Sequence, residues 1–229
     1  MNITEKELNK FLDDIVDIHG VTSLNIPELI EEYGEDICYY PYAISVGILM
    51  DEKIVDHIPQ TRKNKKYASD YVDEYFGSID IINEKSEKIC EFIKNNGYDA
   101  TYIRLSGKCR TLNLKKKYAQ KTTANLAGLG WIGKSDLMIT PKFGPRLTWA
   151  TILTDMPLKI KERIKSRCGD CNICTNICPS NAIEGKYNSK TCLEFINNEI
   201  NRLGFKMICG MCLYSCPYGR KINGKYLKN

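Results

Sequence analysis

The chain has 229 residues, 43% hydrophobic and 27% charged, with a formal net charge of +5. That length supports a substantial buried core, and the composition is that of an ordinary globular protein. No stretch approaches the roughly 18 apolar residues of a membrane span, and Met1 to Lys10 is polar rather than a signal peptide, so no membrane role and a cytoplasmic location are expected.

Thr4 with Glu7 reads as a capping box, and Leu8, Phe11, Leu12 and Ile15 follow at helical spacing. Pro27 suits the start of a short second helix, and Tyr42 to Leu49 is a β-rich run that reads as a buried strand. From Tyr67 to Asn95, the spacing of Tyr71, Tyr75, Ile79, Ile82, Ile89 and Ile93 predicts a long helix, stopped by Asn96-Gly97. Tyr98 to Leu105 reads as a strand, Lys115 to Leu126 as a helix, and Leu137 to Thr140 and Leu147 to Thr154 as further strands. Helices and strands in this order, without βαβ alternation, predict an α+β core over residues 1–160. The basic stretch Lys161, Arg163, Lys165 and Arg167 then reads as a solvated linker to a cysteine-rich part over 161–229.

The chain has eleven cysteines, and eight of them fall between Cys168 and Cys216. Without a secretion signal such clustering points to metal rather than disulfides. The scattered Cys38, Cys90 and Cys109 read as small apolar residues. Cys168, Cys171, Cys174 and Cys178, followed by Pro179, spell C-x2-C-x2-C-x3-C-P, the bacterial ferredoxin run whose fourth cysteine serves the other cluster. A shorter copy follows as Cys209, Cys212, Cys216 and Pro217, with Lys206 where a first cysteine would stand and Cys192 as its replacement. The expected assignment is one 4Fe-4S cluster on Cys168, Cys171, Cys174 and Cys216 and a second on Cys178, Cys192, Cys209 and Cys212. Paired C-x2-C units also build zinc sites, but two C-x3-C-P endings favour clusters. Eight ligating thiolates and two oxidised cores would bring the loaded chain to about +1, which removes any argument for nucleic acid from charge.

Ahead of these cysteines, Ala127-Gly128-Leu129-Gly130-Trp131-Ile132-Gly133-Lys134, then Pro141, Phe143-Gly144 and Leu153-Thr154-Asp155-Met156-Pro157-Leu158, resemble the epoxyqueuosine reductase family and its relatives, the reductive dehalogenases. The resemblance is close from about Ala127 to Pro217 and weak before residue 120. It implies a cobalamin-binding, nitroreductase-like core joined to a ferredoxin-like double-cluster module, with cobalamin near Lys134, Met138, Trp149, Glu194 and Gly210. The glycines at 128, 130 and 133 then look like a turn that lets backbone approach a corrin ring. His19 and His57 read as ordinary histidines rather than cobalt ligands.

Two departures matter. The family's catalytic aspartate stands thirteen residues before the alanine of A-G-L-G-W; that position here is Leu114, and Lys117 replaces the proline of its D-T-x-P segment. The chain also ends about a dozen residues after Cys216, where the family's helical repeats would follow, so a shortened relative is expected. No catalytic residue is assigned; Tyr102, Arg104, Lys117 and Tyr118 lie in or near the segment and read as structural. The mechanism implied is electron relay from a donor such as a ferredoxin or flavodoxin, through the clusters, to a cobalamin that reduces a small-molecule or nucleoside substrate, transfer RNA being doubtful. The alternatives are a non-enzymatic electron carrier and a protein that reduces or delivers corrinoid for a partner.

Overall fold

The computed structural model describes residues 3–104, 119–204, 206, 208–222 and 225–226. Its helices are α1 (Glu5–Ile15), α2 (Pro27–Tyr33), α3 (Glu52–Asp56), α4 (Lys65–Asn95), α5 (Gln120–Leu126), α6 (Ile173–Ile177), α7 (Ser189–Leu203) and α8 (Met211–Ser215). Its strands are β1 (Ile18–Ser23), β2 (Tyr42–Leu49), β3 (Ala100–Ile103), β4 (Trp131–Ile132), β5 (Met138–Ile139), β6 (Leu147–Thr154), β7 (Lys221–Ile222) and β8 (Lys225–Tyr226). By packing, the chain forms two compact units: Met1–Ile48, Ile79–Leu129 and Thr148–Ile164 make the first, and Leu49–Ser78, Gly130–Leu147 and Lys165–Asn229 the second. No helix among the described residues is long and apolar enough to cross a membrane.

The first unit is built on a sheet of order β1-β2-β6-β3, in which β1 pairs antiparallel with β2 and β3 with β6. Strand alternation gives β2 two apolar faces. Ile44, Val46 and Ile48 pack with Leu8, Leu12, Ile82, Ile89 and Ile152. Ala43 instead joins Leu24, Leu29, Tyr33, Ile103 and Leu153. Each such aliphatic side chain contributes about 1.5–3 kcal/mol by leaving water. The capping box forms as expected: the Thr4 hydroxyl accepts the Glu7 N–H at 3.4 Å, and the Glu7 carboxylate accepts the Thr4 N–H at 2.8 Å. Strands 42–49 and 147–154 and the end of α4 at Asn95 agree with the sequence reading, whereas β1 carries Gly20 and no β-rich run to announce it. Gly20 allows close packing there, since a Cβ would lie 2.7 Å from the end of the Leu129 side chain.

In the second unit, Met50, Val55, Ile58 and Tyr71 form a small core with Ile208, Met211 and Leu213 against it. Arg146 is 1% exposed and donates to Asp56 at 3.1 Å. Arg62 and Arg202 converge on Glu199 of α7, at 2.8 and 2.9 Å. The β4–β5 hairpin sets Trp131 opposite Ile139, and Gly130 allows its close turn, because a Cβ there would lie 2.0 Å from the Ile139 carbonyl oxygen. A Cβ at Gly144 (φ +57) would likewise lie 1.9 Å from the Tyr218 carbonyl oxygen. The hairpin strand is shorter than the predicted Leu137 to Thr140, and Thr140 bridges instead to Gly144.

Candidate metal centre

The cysteines sit on short elements whose geometry follows from their spacing. Cys168 and Cys171 occupy a turn closed by the Cys171 N–H donating to the Cys168 carbonyl at 2.9 Å, Cys174 lies in α6, and Cys178 caps it in an extended conformation that carries its thiol onward. Cys192 lies in the first turn of α7, where the Asn188 side chain accepts the Thr191 N–H at 3.2 Å. Cys209 precedes Gly210 (φ +66), Cys212 lies in α8, and Cys216 is its C-cap. The described cysteines are all free thiols.

Cys168, Cys171, Cys174, Cys212 and Cys216 line one cavity, closed by Ile139, Pro217 and Tyr218. Burial, and then the neighbouring Cys168, Cys174 and Cys171, push the Cys216 thiol up to about 12. Burial pushes Cys174 up, with Cys168 and Cys171 adding to it. Burial raises Cys209, with Cys192 and Cys178 adding. Cys212 is pushed up to about 12 by burial and then by Cys209, Cys192, Cys174 and Cys178, so it borders both groups. Cys178 differs: burial raises it, but the Ser180 hydroxyl and the N–H groups of Ser180, Ala182 and Ile183 together outweigh burial and lower it. Thiols crowded in this way ionise together only around a positive core. Among the described residues no three His, Cys, Asp or Glu side chains converge on a single-ion position.

Three aromatic side chains stand at the thiols. The Trp131 indole N–H donates to Cys168 Sγ at 3.4 Å. Tyr187 neighbours Cys192, and burial followed by that thiol raises its pKa. Tyr71 packs against Gly210, its pKa raised by burial and then by Cys212 and Cys209. No sequence signal marked these contacts, because Trp131 and Cys168 are 37 residues apart.

Of the residues expected near cobalamin, Lys134 lines the cysteine cavity and also an open groove of about 460 Å3 bounded by Asp136, Lys186 and Tyr187. Its ammonium donates to Asn172 at 2.9 Å. Met138 and Trp149 are buried, Trp149 against the sheet at Gly47. Glu194 is exposed on α7, 4.0 Å from Lys190. The glycine turn has a plainer cause than approach to a ligand: Cβ atoms at 128, 130 and 133 would meet the Glu162 carbonyl at 2.2 Å, the Ile139 carbonyl at 2.0 Å and the Ile139 side chain at 2.3 Å. His19 pairs with Asp13 at 3.0 Å, and His57 Nδ1 meets the Lys53 carbonyl at 2.7 Å. Cys38 donates to the Leu24 carbonyl, and burial pushes Cys90 up to about 12. Tyr102 is partly buried on β3 and Arg104 is exposed; Cys109, Leu114, Lys117 and Tyr118 lie outside the described residues.

No family model matches the sequence. Its curated homologues are named epoxyqueuosine reductase. The one from Listeria monocytogenes is 33% identical over 108 residues, covering 42% of this chain and 28% of that protein. That from Lactococcus garvieae is 22% identical over 196 residues, 80% of this chain and 53% of that protein. The chain thus spans about half or less of the length of these relatives. The mixed α/β fold matches an epoxyqueuosine reductase structure solved with a transfer RNA stem loop, at TM-score 0.68 and 16% identity over 94% of this chain and 65% of that one. It also matches a reductive dehalogenase whose structure is described for B12-dependent dehalogenation, at TM-score 0.66 and 19% identity over 94% of this chain and 31% of that one.

Proposed function

We propose that this chain is an iron–sulfur reductase of the epoxyqueuosine reductase type, with a ferredoxin-like cysteine segment over 161–229 following an α+β core over 1–160, of which residues 49–78 and 130–147 pack in one unit with that segment. One 4Fe-4S cluster is held by Cys168, Cys171, Cys174 and Cys216 and the other by Cys178, Cys192, Cys209 and Cys212. The observation that carries this reading is the cavity on which Cys216 meets three cysteines more than forty residues away in sequence. Buried, mutually repelling thiols are the donor set that a polynuclear iron core neutralises.

The proposal extends to cobalamin near Lys134, Met138, Trp149, Glu194 and Gly210; one structural neighbour is a reductive dehalogenase whose structure is described for B12-dependent dehalogenation. Lys134 supports it only in that it lines both the cysteine cavity and an open groove beside it. When bound, the clusters supply single electrons and the corrinoid supplies the reducing cobalt for a substrate that an external donor, a ferredoxin or flavodoxin, helps to reduce. The chain's own residues supply the rest. The Ser180 hydroxyl and nearby backbone N–H groups stabilise charge on Cys178, Trp131 donates to Cys168, and Ile139, Pro217 and Tyr218 keep water from the first set.

The test is anaerobic reconstitution with iron, sulfide and cobalamin. About eight iron and eight sulfide per chain are expected, with Cys216→Ala impairing one cluster and Cys178→Ala the other. Stoichiometric zinc without iron absorption contradicts the cluster reading. Loaded protein that fails to bind cobalamin at micromolar concentration favours a plain electron carrier instead.

A further inference from the structure

We infer that Trp131 sets the reduction potential of the cluster on Cys168, Cys171, Cys174 and Cys216 by holding its indole N–H on the Cys168 sulfur. This inference rests on the cluster assignment above.

The indole is 1% exposed, and its Nε1 lies 3.4 Å from Cys168 Sγ. Three contacts keep it there. The hairpin pairs Trp131 with Ile139, and the glycines before and after it, Gly130 and Gly133, have no room for a side chain against that residue. The Tyr218 ring meets the indole edge-on at 4.9 Å and 83°, and its hydroxyl donates to the Arg167 carbonyl at 3.4 Å. The Arg167 guanidinium lies 5.9 Å from the indole ring. The donor is therefore positioned, dry and unable to turn to another partner.

Indole N–H is a donor only and does not titrate. Reducing a cluster adds one negative charge shared with its sulfurs, so a fixed donor stabilises the reduced state more than the oxidised one and raises the potential. Trp131 touches one set of thiols, so the second cluster is an internal control.

The experiment is a potentiometric titration of the reconstituted full chain followed by electron paramagnetic resonance, comparing wild type with Trp131→Phe. The variant is expected to lower one cluster's reduced-to-oxidised ratio about tenfold at fixed potential, a shift of about 59 mV to the negative for one electron, with the other cluster unmoved. Loss of indole packing alone is separated by a second protein, in which a benzothiophene analogue of tryptophan replaces the N–H with sulfur and keeps the ring. The chain has two tryptophans, so this is made in a Trp149→Phe background and compared with that background. Unshifted potentials in the analogue protein with both clusters loaded, or equal shifts in both clusters, overturn the inference. A wild-type protein that holds no iron or sulfide overturns the cluster assignment instead.

Discussion

Glu199 lies between two guanidinium groups, accepting from Arg62 at 2.8 Å and from Arg202 at 2.9 Å. The Arg202 hydrogen bond, then that of Arg62, holds its carboxyl down to about 2. Glu199→Gln is expected to cost about 1.5–3 kcal/mol, the range for hydrogen bonds to charged groups. A depressed folded pKa contributes stability that is complete above the unfolded value of about 4.3 and is lost as pH falls toward 2. The wild-type advantage in urea unfolding should therefore stay level from about pH 8 to about pH 5.5; an advantage that closes within that window contradicts the assignment. Neither arginine nor the glutamate stood out in the sequence, since Arg62 and Glu199 are 137 residues apart.

At the scale of elements, α4 was legible because its apolar residues recur at helical spacing over 31 residues. Its two faces carry opposite predictions. Ile89 is fully buried in the core of the first unit, so Ile89→Ala should cost about 2–5 kcal/mol. Ile81 is 49% exposed, and its replacement by alanine should stay within about 0.5 kcal/mol. Gly77 of the same helix has open space around a Cβ position, so Gly77→Ala should stabilise by about 0.5–1 kcal/mol. The β4–β5 hairpin behaves oppositely, and Gly130→Ala should destabilise by about 1–3 kcal/mol through collision with the Ile139 carbonyl. Thermal melts of the four variants check the order.

At the scale of the whole molecule, the sequence bears on substrate choice. One structural neighbour is an epoxyqueuosine reductase with a transfer RNA stem loop. For this chain we propose a different preferred substrate, because Leu114 stands where the family's acid is expected and cannot donate a proton. General acid catalysis contributes roughly 100- to 10,000-fold. With both proposed clusters bound, a net charge of about +1 would also offer phosphates little attraction. In an anaerobic assay with cobalamin, a strong reductant and epoxyqueuosine-containing transfer RNA, turnover is expected to fall by that factor relative to a full-length reductase, and comparable turnover refutes the proposal.

The capping box, the strands at 42–49 and 147–154, the long helix and the cysteine offsets were determined by sequence alone, because each is a pattern within a short window. The tertiary structure decided what no window contains. It assigned residues 49–78 and 130–147 to the unit of the cysteine-rich segment, placed Cys212 on the cavity of Cys168, and aimed the Trp131 indole at a sulfur 37 residues away. Side-chain meetings across such separations depend on where the intervening chain is packed, and periodicity does not encode that.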